Sequence, residues 1–384
     1  MDIPSILNHL GEEHENYFNA VSPPIIQSSN FCVKNVKELR KVLVNEFKIP
    51  FYTRGYNPTV GILRKKLAAL EGAEDALVFG SGTAAVVAAV MSVVKAGDHA
   101  ICVQKPYSWT NALFNKYLVN YGVTTAMVDG RNVENIEKAI QPNTKLIYLE
   151  SPNSITFELQ DIEAVTKIAK KKGIATVIDN SYSSPLCQSP IALGVDLVLH
   201  SASKYIGGHS DVVAGVVCGS QARIDSMFAK EYMNLGAIIS PHDAWLMIRS
   251  LRTLELRVKK TAEVTPLVVT AIESHPKIEK MNYPFSKNNP QLELAKKQMK
   301  SATGLFSIQL KADVAGIERF VNNLKRFIIA TSWGGHESLV FPFCAMPEAN
   351  RKMSDLPENL VRIYIGLDEA EYLVADLKQA LDKI

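Results

Sequence analysis

From Ala76 to Gly219 short apolar runs alternate with amphipathic stretches, and the period of the pattern switches between that of a strand and that of a helix. The runs ALVF, HAICVQ, TTAMVD, KLIYLES, ATVIDN, LVLHS and VAGVVCG are rich in Val, Ile and Leu and predict strands buried on both faces. Between them TAAVVAAVMSVVKAG, a stretch through Leu118, NVENIEKAI and DIEAVTKIAKKKG predict helices. Alternation of this kind builds crossover units, and so predicts an α/β fold with a mostly parallel sheet covered by helices. One helix carries both of its stop signals in sequence. Asp161 is a candidate N-cap, Ile162, Val165, Ile168 and Ala169 recur at helical spacing, and Gly173 stands where a left-handed stop is expected.

Beyond about Pro241 the pattern changes. AWLMIRSLRTLELRVKKTAEVTPLVVTAIESHP predicts a long helix bent near Pro266, followed by isolated strands such as LFSIQL and VRIYIGL. The last segment, DEAEYLVADLKQALDKI, is amphipathic, with acids at its start and Lys near its end as the helix dipole favours. Residues 1–56 follow neither period and are expected to form an irregular arm ending in the aromatic segment PFYTRGYNPT. The expected organisation is an arm over 1–56, a large α/β domain over 57–245 and a smaller α+β domain over 246–384.

Composition narrows the function classes. Of 384 residues 47% are hydrophobic and 21% charged, which supports a large core and excludes a disordered chain. Lys and Arg number 42 against 39 Asp and Glu, with no block of like charge, so the chain lacks the electrostatic footprint of a nucleic-acid binder. No segment approaches the ~20 apolar residues of a membrane span, and the first residues carry acids rather than a basic leader. A cytoplasmic protein with neither nucleic acid nor membrane as partner is expected. Cys32, Cys102, Cys187, Cys218 and Cys344 are scattered, which suits neither a disulfide framework nor a zinc site, and they are expected to be buried apolar residues.

The candidate chemistry begins with Asp179, which ends the run ATVID, and Lys204, just past LVLHS. In an open parallel sheet the carboxyl ends of strands line the ligand crevice, so both side chains can reach one ligand. A lysine held in a pocket loses its proton more readily and can form an imine with an aldehyde. A pyridoxal phosphate (PLP) site needs such a lysine, a carboxylate facing the ring nitrogen and donors for the phosphate. Gly80, Ser81, Gly82 and Thr83 in FGSGTAA join a strand to a helix N-terminus that can cradle the phosphate, and Ser201 and Ser203 offer hydroxyls.

Each piece has a plainer reading. Asp179 can be a turn residue and Lys204 a solvated charge. Gly80-x-Gly82-x-x-Ala85 also fits a dinucleotide fingerprint, but where that fingerprint expects an acid ~20 residues on, HAICVQ ends in Gln104 and Lys105. His209 and Asp211 lack a neighbouring ligand cluster, so a structural role is expected and no metal site. Tyr107 can stack on an aromatic cofactor or pack in the core. Tyr52 and Arg54 can form an anion clamp or lie on the surface, and Arg362, inside VRIYIGL, needs either a structural acid or a substrate carboxylate.

Taken in order, YTRGYNPT, EGAEDALVFGSGTAAV, YLESPNSITFEL, VIDNSYSSPLCQSPIALGVDLVLHSASKYIGGHSDVVAG, RSLRTLELRV, SWGGHESL and LVRIYIGLDEAEYLVADLKQAL resemble the transsulfuration, or Cys/Met metabolism, family of PLP enzymes. The resemblance implies the aspartate-aminotransferase-like fold type I and a homotetramer of two active dimers. It implies Lys204 as the lysine that binds PLP, Asp179 at the ring nitrogen, Tyr107 over the ring and acting in catalysis, and Gly82, Thr83, Ser201 and Ser203 at the phosphate. Tyr52 and Arg54 are implied to reach the phosphate of the neighbouring subunit, and Arg362 to clamp the substrate carboxylate near Ser332, Trp333 and Ser338. Ser154 in ESPNSIT and Trp333 in SWGGHESL resemble the cystathionine β-lyase branch. Thr83 after the cradle glycine, and the lack of a His-Pro in VFPFCAMPEAN, depart from common family patterns. The implied reaction is β-elimination of L-cystathionine to homocysteine, pyruvate and ammonia. Its alternatives are cystathionine γ-lyase, cystathionine γ-synthase, methionine γ-lyase and O-acylhomoserine sulfhydrylase.

Overall fold

The computed structural model describes residues 1–353 and 355–384. The apolar runs of the first half become β1 (Asp75–Phe79), β2 (His99–Val103), β3 (Thr124–Val128), β4 (Thr144–Glu150), β5 (Ala175–Asp179), β6 (Leu197–Ser201) and β7 (Gly215–Gly219). They form one sheet in the order β1-β7-β6-β5-β4-β2-β3. β7 runs antiparallel to β1 and β6, and every other pair is parallel, so the sheet is mostly parallel as the alternation requires.

Both faces of this sheet are dry, which explains why its strands read as continuous apolar runs. Along β4, Leu146 and Tyr148 pack on one face with Ala85, Ala88 and Ala89 of the helix Gly82–Met91. Ile147 and Leu149 pack on the other with Ile162, Val165 and Ala169 of the helix Ile162–Lys172. That second helix starts where expected, since Asp161 Oδ1 accepts from the Ala164 N–H at 3.0 Å. It stops at Gly173, whose φ of 67° costs a glycine little.

A second sheet is built from β8 (Ile278–Asn282), β9 (Leu305–Leu310), β10 (Ile328–Ile329), β11 (Leu339–Pro342) and β12 (Leu360–Tyr364), in the order β10-β11-β12-β9-β8. It is antiparallel except for β10 and β11. The final helix, Ala370–Leu381, buries Leu373, Leu377 and Leu381 in its core.

Three expectations are corrected. Residues 1–56 are not irregular throughout, because Ile3–Asn8 and Val36–Leu43 are helices capped by the side chains of Asp2 and Asn35. Long-range contacts hold the first of them: buried Lys66 Nζ donates to the carbonyls of Ile6 (3.0 Å) and Leu7 (3.1 Å) and pairs with Glu12 at 3.0 Å. The long helix breaks at Arg252 and Thr253 rather than at Pro266, giving Pro241–Leu251 and Leu254–Ile272. There the Ser250 carbonyl accepts from the Thr253 N–H, the Thr253 hydroxyl and Arg257 Nη2. Cys102, Cys187 and Cys218 are buried as expected, but Cys344 is half-buried and Cys32 is exposed.

Candidate functional site

The parallel strands end together. In the β4–β5 register Glu150 stands opposite Asp179, and in the β5–β6 register Asp179 stands opposite Leu199, two residues before Ser201. Beyond these ends, with β12 and the segment 331–333 on the far side, lies a cavity of about 530 Å³. Its wall contains Gly82, Thr83, Tyr107, Asp179, Ser201, Ser203, Lys204, Ser332, Trp333 and Arg362, so ten of the residues singled out in sequence meet at one place.

Lys204 follows β6 in a turn closed by the Gly208 N–H on the Lys204 carbonyl at 2.7 Å. Its Nζ donates to Ser332 Oγ at 2.5 Å and lies 5.5 Å from the Trp333 ring. Burial, reinforced by the positive charge of Arg362 and opposed by Asp179, pushes the Lys204 amine down to about 8. Close approach of the opposite loop depends on Gly334, where a Cβ would lie 2.8 Å from the Lys204 backbone.

Asp179 is buried and accepts from the Ser181 N–H at 2.9 Å. Burial raises its pKa, while the Ser181 hydrogen bond, His200 and Lys204 oppose the rise. Among the described residues no cation lies within ion-pair distance of it. A buried carboxylate in that condition is suited to a cationic ligand.

Also in the cavity wall, Ser81 caps the helix Gly82–Met91, its Oγ accepting from the Ala84 N–H at 3.1 Å. The N–H groups of Gly82 and Thr83 have no intrahelical partner, which makes the cradle an anion site. A Cβ on Gly82 would come within 2.7 Å of Ser201 Oγ, so glycine permits the contact between cradle and β6. Ser203 Oγ accepts from the Ala214 N–H at 2.9 Å and donates to the Ala214 carbonyl at 3.2 Å. Tyr107, 40% exposed, turns toward Thr83, and burial is the main cause of its raised phenol pKa.

Arg362 projects from β12, its Nη1 donating to the Ser154 carbonyl at 3.3 Å. Loss of water pushes its guanidinium down to about 10, against the attraction of Glu150. Among the described residues no carboxylate stands within ion-pair distance of Arg362. Of the two alternatives left open by sequence, a structural acid is therefore missing.

Three expected residues lie elsewhere in this chain. Ser338 is buried behind the cavity wall, donating to Asp368 Oδ2 at 2.7 Å and accepting from the Gly366 N–H at 3.0 Å. Tyr52 and Arg54 are exposed outside the cavity, the guanidinium 5.5 Å from the Tyr52 ring. His209 Nδ1 lies 2.8 Å from the Gly207 carbonyl and 2.9 Å from Ser250 Oγ. One residue that sequence reasoning missed stands in the wall: Glu150, whose Oε2 accepts from the Tyr107 N–H at 2.7 Å and whose Oε1 accepts from Ser154. The signal for it was present, because Glu150 ends its apolar run just as Asp179 does.

A family model described as Cys/Met metabolism PLP-dependent enzyme matches residues 5–382. The chain belongs to that family. It is 38% identical over 378 residues to an L-methionine gamma-lyase of Treponema denticola, covering 96% of this chain and 94% of that protein. A cystathionine gamma-lyase of Macaca fascicularis is 37% identical over 379 residues, covering 97% and 92%. The crystal structure of metB from Corynebacterium glutamicum superposes with a TM-score of 0.94 at 35% identity, covering 100% of this chain and 98% of that one. The fold is therefore PLP fold type I, the cofactor is pyridoxal 5′-phosphate, and the family is one of PLP-dependent lyases of sulfur amino-acid metabolism. The cavity fits this cofactor, with an anion cradle, an unpaired buried carboxylate and a lysine of lowered pKa in its wall. Among the described residues no helix is long and apolar enough to cross a membrane.

Proposed function

We propose that this PLP enzyme is a carbon–sulfur lyase that β-eliminates L-cystathionine, with water consumed, to homocysteine, pyruvate and ammonia. When bound, the cofactor supplies an electron sink for a carbanion at Cα. Lys204 would hold it covalently, and Asp179 would keep a proton on its ring nitrogen, which makes it an effective sink. The N–H groups of Gly82 and Thr83 bind the phosphate with the hydroxyls of Ser201 and Ser203. Ser203 already serves the Ala214 backbone, so Ser201 is the freer donor. Tyr107 covers the ring. Tyr52 and Arg54, exposed on the arm, bind the phosphate of a neighbouring subunit in a cytoplasmic homotetramer built from dimers. We retain 1–56, 57–245 and 246–384 as arm, cofactor domain and small domain.

Arg362 binds the substrate α-carboxylate, with Ser332 and Trp333 beside it and Ser338 behind the loop. Lys204 would be the base placed to remove the Cα proton. Its amine, lowered to about 8, is in part neutral near neutral pH and so is available as a base. Release of the thiolate from Cβ then needs no second proton abstraction.

One observation carries the choice of bond. The two residues that resemble the β-lyase branch both stand in the cavity wall, Trp333 beside Lys204 Nζ and Ser154 between Arg362 and Glu150. The second reading is γ-elimination, favoured by the names of the full-length relatives described above. Incubation with cystathionine separates the two. Homocysteine and pyruvate are expected, and a predominance of cysteine and 2-oxobutyrate would move the protein to the γ-lyase reading.

A further inference from the structure

Glu150 has three donors aimed at two oxygens: the Tyr107 N–H at 2.7 Å on one, the Ser154 N–H at 3.0 Å and the Ser154 hydroxyl at 3.1 Å on the other. That set favours the ionised form. Its surroundings oppose it. Glu150 is 4% exposed and shares its register with Asp179, and burial first and the Asp179 charge second push it up to about 8. Ser154 links Glu150 to the carboxylate clamp, since its carbonyl accepts from Arg362 while its N–H and hydroxyl donate to Glu150.

The groups acting on Glu150 from the surrounding elements are Asp179 on β5, Cys102 on β2, Tyr148 on β4 itself, Tyr107 before its helix and Arg362 on β12. The Cys102 thiol and both phenols are held neutral by burial. Asp179 is the anion that repels Glu150, and Arg362 is the cation that attracts it. A substrate carboxylate on Arg362 would neutralise that cation and add a negative charge nearby. Both changes favour the protonated form.

We infer that Glu150 is a positioning residue whose protonation is coupled to occupancy of the Arg362 carboxylate site, so that the enzyme takes up a proton there as its substrate binds. Ionised Glu150 steadies Arg362 and the 150–154 turn in the open site. Protonated Glu150 spares the loaded site a third carboxylate beside Asp179 and the ligand. The coupling rests on Arg362 being the carboxylate clamp and is independent of whether the β or the γ bond breaks.

The test uses the holoenzyme and 3-(methylthio)propanoate, a carboxylate without the amine needed to react with the cofactor. Calorimetric titration at pH 8 in Tris and in Hepes, whose ionisation heats differ, gives the protons exchanged on binding. Net proton uptake is expected in wild type and less in Glu150→Gln, the difference between the two reading the contribution of Glu150 itself. Arg362→Ala is expected to abolish binding. Binding of the probe that depends on Arg362 but brings no proton uptake overturns the coupling, as does equal uptake in Glu150→Gln. Absence of binding to wild type, or its survival in Arg362→Ala, sinks the clamp reading itself.

Discussion

Lys204 Nζ and Ser332 Oγ meet at 2.5 Å across the cavity, joining the turn after β6 to the loop before β11. Ser332 holds a φ of 75°, unusual for a residue with a Cβ, and its place is fixed by the packing of Gly334 against the Lys204 backbone. Loop geometry thus aims a hydroxyl at the one amine that the described residues place in the cavity wall. Ser332→Ala is expected to lower kcat about 10-fold or more, the range set by ~1.5–3 kcal/mol for a hydrogen bond to a charged group. The visible absorption of the bound cofactor should change little. A kcat unchanged within twofold would mean that Ser332 does not steer the lysine.

The low pKa of Lys204 is also a statement about stability. Unfolded, the amine titrates near 10.5, and in the folded apoprotein at about 8, so between these values the unfolded chain holds more protons. Apoprotein stability should therefore rise with pH across that window, and below about 8 the full cost of the buried charge is present. Lys204→Met keeps the volume and removes the charge. Its apoprotein should be more stable than wild type at pH 7, by up to roughly 3 kcal/mol, with the gap closing as pH passes from 8 toward 10.5. Denaturant titrations of both apoproteins at several pH values decide the matter, and a gap independent of pH refutes the assignment.

Much of this arrangement is legible in the chain. Asp179 and Lys204 end adjacent apolar runs, and in a parallel sheet that alone brings them to one crevice. Glu150 obeys the same rule, but beyond that position a strand-terminal acid carries no separate chemical signal of its own. Arg362 announced itself as a charge in an apolar strand, but what faces it depends on β12 meeting the 150–154 turn, a contact between residues 208 positions apart. The helices of the first residues were hidden for a similar reason. They are too short to stand on propensity, and the Lys66, Glu12 and Arg252 cluster that fastens this segment spans 240 residues. The break at Arg252 is hidden in the sequence because Pro266 is a louder local signal than a carbonyl shared by Thr253 and Arg257.

Asp179 carries a different expectation. Asparagine preserves the acceptor for the Ser181 N–H at 2.9 Å and removes a buried charge that has no ion-pair partner among the described residues. Asp179→Asn apoprotein should be at least as stable as wild type, because one unpaired buried carboxylate is lost. Turnover should fall by roughly 100-fold or more, since a ring nitrogen without its anion is a poor electron sink. Thermal unfolding of the apoprotein and steady-state rates of the reconstituted enzyme check the two halves separately, and full activity would remove the proposed role.

The arm supplies a test of shared sites. Thr53, between Tyr52 and Arg54, donates its hydroxyl to the Ser28 carbonyl, and Tyr52 bridges to Asn30, so the pair is held to residues 28–30 and outside its own cavity. Arg54→Ala and Lys204→Ala oligomers should each be nearly inactive. If the arm completes a neighbour's site, co-refolding equal amounts makes half of the dimers hybrid, each with one intact site, and about a quarter of wild-type activity should return. Hybrids verified by mass and lacking activity would assign the arm to its own subunit.

Trp333 bears most directly on which bond breaks. Its ring is 7% exposed, packs on Tyr205 with centroids 5.5 Å apart, and approaches Lys204 Nζ at 5.5 Å. An indole in that position does two things for an amine that must act as a base: it excludes water, which keeps the amine pKa low, and it narrows the space next to Cα. Leucine retains an apolar contact but gives up area, which admits water beside the amine and leaves more room next to Cα. Trp333→Leu is therefore expected to lower kcat/KM for cystathionine about 10-fold while leaving the cofactor absorption intact. The ratio of pyruvate to 2-oxobutyrate should shift toward 2-oxobutyrate, because the wider pocket tolerates more conformers of the bound chain. Quantifying both keto acids from one incubation gives rate and bond choice together. A variant that keeps the wild-type kcat/KM and product ratio would reduce Trp333 to a packing residue behind Tyr205 with no part in bond choice.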